Sequence, residues 1–264
     1  MLKLENISKT FNAGTVNEKV ALNGLNLHLN PGDFCTVIGG NGAGKSTMLN
    51  AVAGLWPIDT GKILIDGVDL TNMPEFRRAK YLGRVFQDPM TGTAASMEIE
   101  ENLALAARRG QTRFLRTRIT KKEREKYREL LKTLDLGLED RMTSKVGLLS
   151  GGQRQALTLL MATLKKPKLL LLDEHTAALD PKTAAKVLET TDKFVAKDQL
   201  TTLMITHNMR DAIAHGNRLI MMYEGHIIYD VAGEEKKKLH VSDLLEKFEQ
   251  ASGNEFANDR MMLS

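Results

Sequence analysis

The stretch from Gly39 to Ser46 constrains the fold of this chain more than any other part of it. It reads Gly-Gly-Asn-Gly-Ala-Gly-Lys-Ser, which matches the pattern G-x-x-x-x-G-K-[ST]. A buried strand is predicted before it at residues 33–39, and a helix is predicted to begin near Ser46. Glycines let successive backbone N–H groups converge on one anion, and the N-terminus of the following helix adds positive potential. A strand, a glycine loop and a helix in this order predict an α/β fold that binds phosphate groups.

This loop alone indicates a nucleotide-binding protein of the P-loop class, which includes many chemistries. The Lys45 ammonium can reach the β- and γ-phosphates of a nucleotide, and the Ser46 hydroxyl can bind Mg²⁺. The predicted nucleotide-binding residues are Gly39, Gly40, Asn41, Gly42, Ala43, Gly44, Lys45, Ser46 and Thr47.

A second pattern is expected to place two carboxylates beside this loop. Residues 169–172 are all leucine, and Asp173 and Glu174 follow directly. A strand of this kind buries its leucines and delivers the acids to the carboxyl edge of the sheet, where α/β proteins place their ligands. Asp173 is suited to hold a magnesium ion, and Glu174 can accept a proton from an attacking water.

Five further elements, in order along the chain, make it resemble the ATP-binding cassette (ABC) ATPase family. The signature loop of that family is matched by Leu149, Ser150, Gly151, Gly152 and Gln153. The other matches are Gln87 for the Q-loop, Asp180 for the D-loop, His207 for the switch histidine and Phe11 for the aromatic residue that faces adenine. Phe11 could equally pack against the surface of the domain.

The resemblance covers the chain from Leu2 to about Tyr229 and implies its domain organisation. We expect an α/β P-loop NTPase core, formed by residues 1–87 and 150–235, in which a mixed sheet is joined by an antiparallel β subdomain. Residues 88–149 are expected to form an inserted α-helical lobe with the signature loop at its end. Helical periodicity at residues 99–109 and 121–134 agrees with this lobe. Residues 236–264 are expected to form a short C-terminal helix and a tail.

The resemblance also implies a composite site that uses ATP and Mg²⁺. Family members dimerise head to tail, so the signature loop of a second copy, or of a related cassette, completes the site. Glu174 is then the general base, and His207 steadies the γ-phosphate. Gln87 senses the metal and the attacking water, and the expected magnesium ligands are Ser46, Gln87 and Asp173. ATP binding closes such a dimer and hydrolysis opens it.

The implied function is the ATP-binding and ATP-hydrolysing subunit of an ABC transporter, peripheral at the cytoplasmic face of the cell membrane. The chain has one cassette, and no apolar run long enough to span a bilayer is found in it. Integral membrane permease subunits are expected to dock near Gln87 and the segment from Met97 to Asn102, with an extracytoplasmic solute-binding protein as a further partner. Amino acids are the first choice of solute, while import and export both stay open.

One alternative is a soluble ABC ATPase of an assembly machinery, such as iron–sulfur cluster assembly. Such proteins generally depart from the Leu-Ser-Gly-Gly-Gln form of the signature, which favours transport. A signalling GTPase is disfavoured because nothing resembles its guanine-reading Asn-Lys-x-Asp element.

The sequence assigns no definite role to two features, the basic segment and His175. The net charge of +4 comes from the segment between Arg108 and Arg128, which carries ten basic residues and two acidic ones, so this segment contributes +8 and the rest 4 − 8 = −4. The segment forms either a solvated helical face or a surface that attracts anionic lipid headgroups. It contains too few aromatic residues to indicate binding to nucleic acid. His175 stands where the family usually has proline, and we expect it near the site without a catalytic role.

Overall fold

A computed structural model describes residues 1–111 and 119–252 and shows strands in two sheets. The strands are β1 (Leu2–Phe11), β2 (Lys19–Leu29), β3 (Phe34–Gly39), β4 (Thr60–Ile65), β5 (Val68–Asp69), β6 (Leu82–Val85), β7 (Leu169–Asp173), β8 (Thr201–Ile205), β9 (Arg218–Tyr223) and β10 (His226–Ala232). The helices are α1 (Lys45–Ala53), α2 (Glu75–Arg78), α3 (Ile99–Ala107), α4 (Lys121–Lys132), α5 (Gly151–Thr163), α6 (Pro181–Asp198), α7 (Met209–Ala214), α8 (Gly233–Lys237) and α9 (Val241–Ser252).

The larger sheet has the strand order β10-β9-β3-β8-β7-β6. All neighbours pair in parallel except β10, which is antiparallel to β9, so the predicted mixed sheet is confirmed. Every residue of β3 is buried, as expected for a parallel strand that is covered on both faces. Because these strands run in parallel, β3, β7 and β8 end at the same edge, and the phosphate loop, the carboxylate pair and His207 follow them there.

The smaller sheet is antiparallel, with the order β2-β1-β4-β5. Its buried leucines and isoleucines pack with α1 and with one face of the larger sheet in a single hydrophobic cluster. In the sequence, alternating apolar and polar residues at 2–9 and 24–29 predict shorter versions of β1 and β2, whereas no such prediction was made for β4 and β5. The strand β4 shows the expected alternation only at its end, where Ile63 and Ile65 are buried.

A separate hydrophobic cluster forms the helical lobe. It contains residues of α3, of α4 and of the turns that follow α4, together with Ala156, Leu157 and Leu160 of α5. The described part of residues 88–149 contributes no strand to either sheet, and only an isolated bridge joins Glu98 to Lys145. The helix α5 therefore packs in the lobe with one part and against the large sheet with another, since Leu159 and Ala162 belong to the cluster of that sheet.

The C-terminal helix α9 packs on the nucleotide-binding core. Leu244 and Phe248 are buried with Ile38 of β3 and Met209 of α7, and α9 lies within residues 236–264, where a short C-terminal helix was predicted. The predicted tail beyond it, residues 253–264, lies outside the described part of the chain. No helix within residues 1–111 and 119–252 is long and apolar enough to cross a membrane.

Candidate active site

One cavity of about 320 Å³ lies at the carboxyl edge of the larger sheet. It is lined by Phe11, Lys19, Ala21, Asn41, Gly42, Ala43, Gly44, Lys45, Ser46, Thr47, Glu174 and His207. Predicted site residues from four separate parts of the chain therefore surround a single space. Lys19 and Ala21 belong to β2 and were not predicted.

The phosphate loop is held in a conformation that only glycine tolerates at Gly44. This residue has a φ of 100°, and a Cβ there would meet the Ala21 carbonyl oxygen at 2.4 Å. The Lys45 side chain is buried, and its Nζ donates to the carbonyl oxygens of Gly39 at 2.7 Å and Gly40 at 3.0 Å. A buried ammonium inside a loop of backbone N–H groups fits a bound polyphosphate.

Glu174 and His207 contact each other in the lining of the cavity. The Glu174 Oε1 lies 2.5 Å from the His207 Nε2, and both side chains line the same space as Lys45. Glu174 has a φ of 46°, a left-handed conformation that costs energy for a residue other than glycine. Its N–H donates to the Ile205 carbonyl oxygen at 3.1 Å, which anchors this turn to β8. A strained, anchored carboxylate beside a histidine is placed to accept a proton from water in the cavity.

Asp173 has a cationic neighbour that sequence reasoning missed. Burial raises the pKa of Asp173, and the Arg84 guanidinium, whose Nη2 lies 3.5 Å from Oδ2, opposes that rise. Arg84 also donates to the Asn50 Oδ1 of α1 at 2.6 Å and stacks on the Phe86 ring at 4.5 Å. The available signal was a charged residue within β6, a strand whose other members are buried.

The metal ligands predicted from the sequence are only partly assembled. Ser46 lines the cavity, whereas Asp173 ends β7, which β8 separates from β3, and does not line it. Both side chains carry the oxygen ligands that Mg²⁺ prefers. Gln87, the third predicted ligand, is exposed and is absent from the lining of the cavity. Among the residues the structure describes, no group of three or more His, Cys, Asp or Glu side chains could hold a metal. This donor set fits an ion that is bound largely by nucleotide phosphates.

The signature loop lies at the N-terminus of α5, outside this cavity. The Ser150 Oγ accepts from the Gln153 N–H at 3.2 Å, and the Gln153 side chain accepts from the Ser150 N–H at 3.1 Å, which forms a capping box. A Cβ on Gly152 would meet the Thr183 Cγ2 of α6 at 2.1 Å, so this glycine permits the close approach of the two helices. None of Leu149, Ser150, Gly151, Gly152 and Gln153 lines the cavity.

Phe11 and Asp180 also hold local positions. Phe11 lines the cavity while its ring packs edge-on against Trp56 at 5.0 Å, so the two interpretations of Phe11 are compatible. Asp180 caps α6, because its Oδ1 accepts from the Thr183 N–H at 3.1 Å.

His175 follows the strained Glu174 but points away from the cavity. It is buried, and its Nε2 lies 3.1 Å from the Thr191 Oγ1 of α6. Burial, with a smaller contribution from His215, lowers the pKa of His175 to about 4. His175 is therefore a neutral residue that is packed behind the site.

The predicted docking segment and the basic segment both contain side chains that are buried or bonded within the chain. Ile99, Glu100 and Asn102 are buried, so about half of the predicted docking segment offers no side chain to a partner. The Arg109 guanidinium donates to the Ala162 carbonyl oxygen at 3.0 Å, and Arg124 forms an ion pair with Glu100. Residues 112–118 of the basic segment lie outside the described residues.

The fold and the cavity together define a P-loop ATPase with a helical lobe. The family model described as ABC transporter matches residues 22–177. The chain belongs to the ABC transporter family and is an ATP hydrolase of the cassette type.

Two relatives cover nearly the whole chain. A tyrosine transport ATP-binding protein of Clostridioides difficile is 44% identical over 95% of this chain and 100% of its own length. A phosphonates import ATP-binding protein of Lactobacillus acidophilus is 32% identical over 97% of this chain and 98% of its own length.

Solved structures give the same result for the fold. A dimeric ATP-binding cassette in a post-hydrolysis state, bound to ADP and phosphate, superposes with a TM-score of 0.74 at 29% identity, over 88% of this chain and 98% of the other. An ADP-bound cassette of an ABC transporter superposes with a TM-score of 0.77 at 28% identity, over 94% and 98% of the two chains. The predicted fold class is confirmed.

Proposed function

We propose that this chain is the ATP-binding subunit of an importer and that it energises the uptake of an amino acid. The observation that carries the proposal is the single cavity in which Lys45, Ser46, Glu174 and His207 meet. The substrate class is supported by the relative named for tyrosine transport, which matches over its entire length. The relative named for phosphonate import makes phosphonates the solute to test against amino acids.

In this proposal ATP occupies the cavity with its phosphates on the loop that contains Lys45. Its adenine ring lies on the side where Phe11 lines the cavity. Ser46 and Asp173 would hold Mg²⁺, which would supply positive charge to neutralise the phosphates. Glu174 accepts a proton from the attacking water, and His207, which contacts the Glu174 carboxylate, is close enough to hold the γ-phosphate oxygens. Gln87 reaches this site only after a movement, because it is exposed and outside the cavity.

The signature loop supports the dimeric part of the proposal. Its N–H groups at the start of α5 are a suitable receptor for phosphate, yet they lie outside the cavity of their own subunit. A second copy in head-to-tail orientation brings these groups to the nucleotide, and the dimeric relative shows that cassettes of this fold form dimers. Closure and opening of that dimer are then the movement that a permease follows.

The membrane partner is tested by purification from native membranes in mild detergent. We expect an integral membrane protein to copurify, with the chain bound peripherally through the lobe and the surface near Gln87. Recovery of a soluble iron–sulfur scaffold instead would support the alternative, which neither of the two relatives favours.

The solute is tested by uptake into proteoliposomes that contain the purified complex and internal ATP. A panel of amino acids and a phosphonate is compared, with the Glu174→Gln complex as the control that lacks hydrolysis. Uptake of tyrosine or another amino acid supports the proposal, and uptake of phosphonate alone contradicts its substrate class.

A further inference from the structure

Lys19 is delivered to the rim of the nucleotide cavity by the pairing of β1 and β2. In this antiparallel pair Lys19 stands directly opposite Phe11, the aromatic residue on the adenine side. Both side chains line the cavity that contains the phosphate loop. The hairpin therefore places one aromatic ring and one ammonium at the same opening.

The ammonium of Lys19 lies over the crest of the phosphate loop. Its Nζ is 3.0 Å and its Cε 3.9 Å from the point that a Cβ on Gly42 would occupy. Lys45 approaches the loop from the inside, where it is buried against the carbonyl oxygens of Gly39 and Gly40. The two lysines thus approach the loop differently, one from the buried side and one from solvent.

Lys19 has no partner of its own in the described part of the chain. No carboxylate lies within ion-pair distance of its Nζ, and no hydrogen bond to the side chain is formed there. The nearby Glu18 carboxylate accepts from the Gly14 N–H at 2.6 Å instead. By contrast, Lys9 of β1 pairs with Asp59 at 3.0 Å. The Lys19 ammonium is therefore available to bind an anion that the phosphate loop holds.

We propose that Lys19 is a second phosphate-binding lysine, which contacts an oxygen of the nucleotide polyphosphate from the solvent side of the loop. The inference rests on the proposed function, because it needs ATP in this cavity. No motif marks Lys19, since it precedes the loop by many residues and reaches it only through the β1–β2 hairpin. Because the ammonium is exposed, we expect its contribution to be moderate and screened by salt.

The test uses the single tryptophan of the chain as a reporter. Trp56 packs against Phe11 at 5.0 Å, so nucleotide binding is followed by its fluorescence or by calorimetry, with ATP and ADP as the titrants. Lys19→Met is compared with Lys19→Arg, which retains the charge. Lys62→Met is the matched control, because Lys62 is an exposed lysine of the same sheet that does not line the cavity.

We expect Lys19→Met to weaken ATP binding roughly fivefold, Lys19→Arg to retain most of the affinity and Lys62→Met to match the native chain. The salt dependence of the affinity should also be smaller in Lys19→Met. A loss with ATP alone assigns the contact to the γ-phosphate, and an equal loss with ADP assigns it to an inner phosphate.

Native affinity in Lys19→Met, or the same loss in Lys62→Met, overturns the assignment of Lys19 while the proposed function stands. A native chain that binds neither ATP nor ADP overturns the proposed function itself, and the role of Lys19 with it. The two failures are therefore distinguished by the native titration alone.

Discussion

The phosphate loop and the signature loop are both glycine-containing turns at the start of a helix, yet they differ in what surrounds them. The phosphate loop shares a cavity with Glu174 and His207. The signature loop caps α5 through Ser150 and Gln153, and none of its residues lines that cavity. In the proposed function the first region contains most of the groups that the chemistry needs, whereas the second offers a helix N-terminus that lies outside the cavity.

In the proposed function, these two regions of one chain are two unlike halves of a composite site. Lys45 is already held inside its loop by Gly39 and Gly40, so the first half is organised for binding within one subunit. The second half begins a helix outside the cavity, so in the proposed function its backbone N–H groups bind a nucleotide that another subunit holds. Changes in the first half should therefore affect binding or chemistry in a monomer, and changes in the second should affect only the dimer.

The largest effect is expected for Lys45→Ala. Loss of two charge-assisted hydrogen bonds to phosphate corresponds to about 4 kcal/mol, or an affinity for ATP lower by about 10³-fold. The affinity is measured with the Trp56 reporter or by calorimetry, and Lys62→Ala is the control for loss of one positive charge. Unchanged affinity would remove the phosphate loop from the proposed site.

Glu174→Gln tests the chemistry of the same half. We expect kcat to fall by about 10²- to 10³-fold with ATP affinity retained, because the amide keeps the shape of the side chain but cannot accept the proton. ATP should then hold this variant as a dimer, which size-exclusion chromatography with and without ATP detects. Hydrolysis at the native rate would exclude Glu174 as the general base.

Ser150→Arg tests the second half. We expect hydrolysis to fall by about 10²-fold, since a bulky cation replaces the cap at the phosphate receptor, while ATP affinity of the monomer stays native. A mixture of Lys45→Ala and Ser150→Arg subunits should recover part of the activity, because one of the two composite sites is then intact. If the mixture is no more active than either variant alone, the head-to-tail arrangement loses its support.

The order of these regions along the chain was predictable because each carries a local pattern. Strand β7 was predicted with its observed bounds, since four consecutive leucines before two acids leave few alternatives. The glycine loop was also predicted between a strand and a helix, because the spacing of its glycines, Lys45 and Ser46 matches a known phosphate-binding pattern. Lys19 and Arg84 were not predictable in this way, because they reach the site through the pairing of β1 with β2 and of β6 with β7.

The long helix α6 was missed for a related reason. Its start is marked by Asp180 and Pro181, a helix-capping pattern, but Asp180 was assigned to the D-loop alone. Gln87 illustrates the limit of such a motif, since its place after β6 follows the family pattern while its side chain lies outside the cavity. A motif fixes the position of a residue along the chain, and tertiary packing decides where its side chain points.

The smallest expected effect is a change in stability caused by His175. This residue is packed behind the phosphate-binding half of the site and contacts Thr191. Its pKa is lowered from 6.5 to about 4 in the folded chain, so the unfolded chain binds more protons at acidic pH. The free energy of unfolding should therefore decrease as the pH falls below 6.5, by about 1 kcal/mol between pH 7 and pH 5.5 from this residue. His175→Gln keeps a nitrogen near the position of Nε2 without titrating, and denaturant unfolding at the two pH values measures the difference. We expect the free energy of unfolding of the native chain, relative to that of this variant, to be about 1 kcal/mol lower at pH 5.5 than at pH 7. An equal difference at both pH values would show that His175 is not buried in its neutral form.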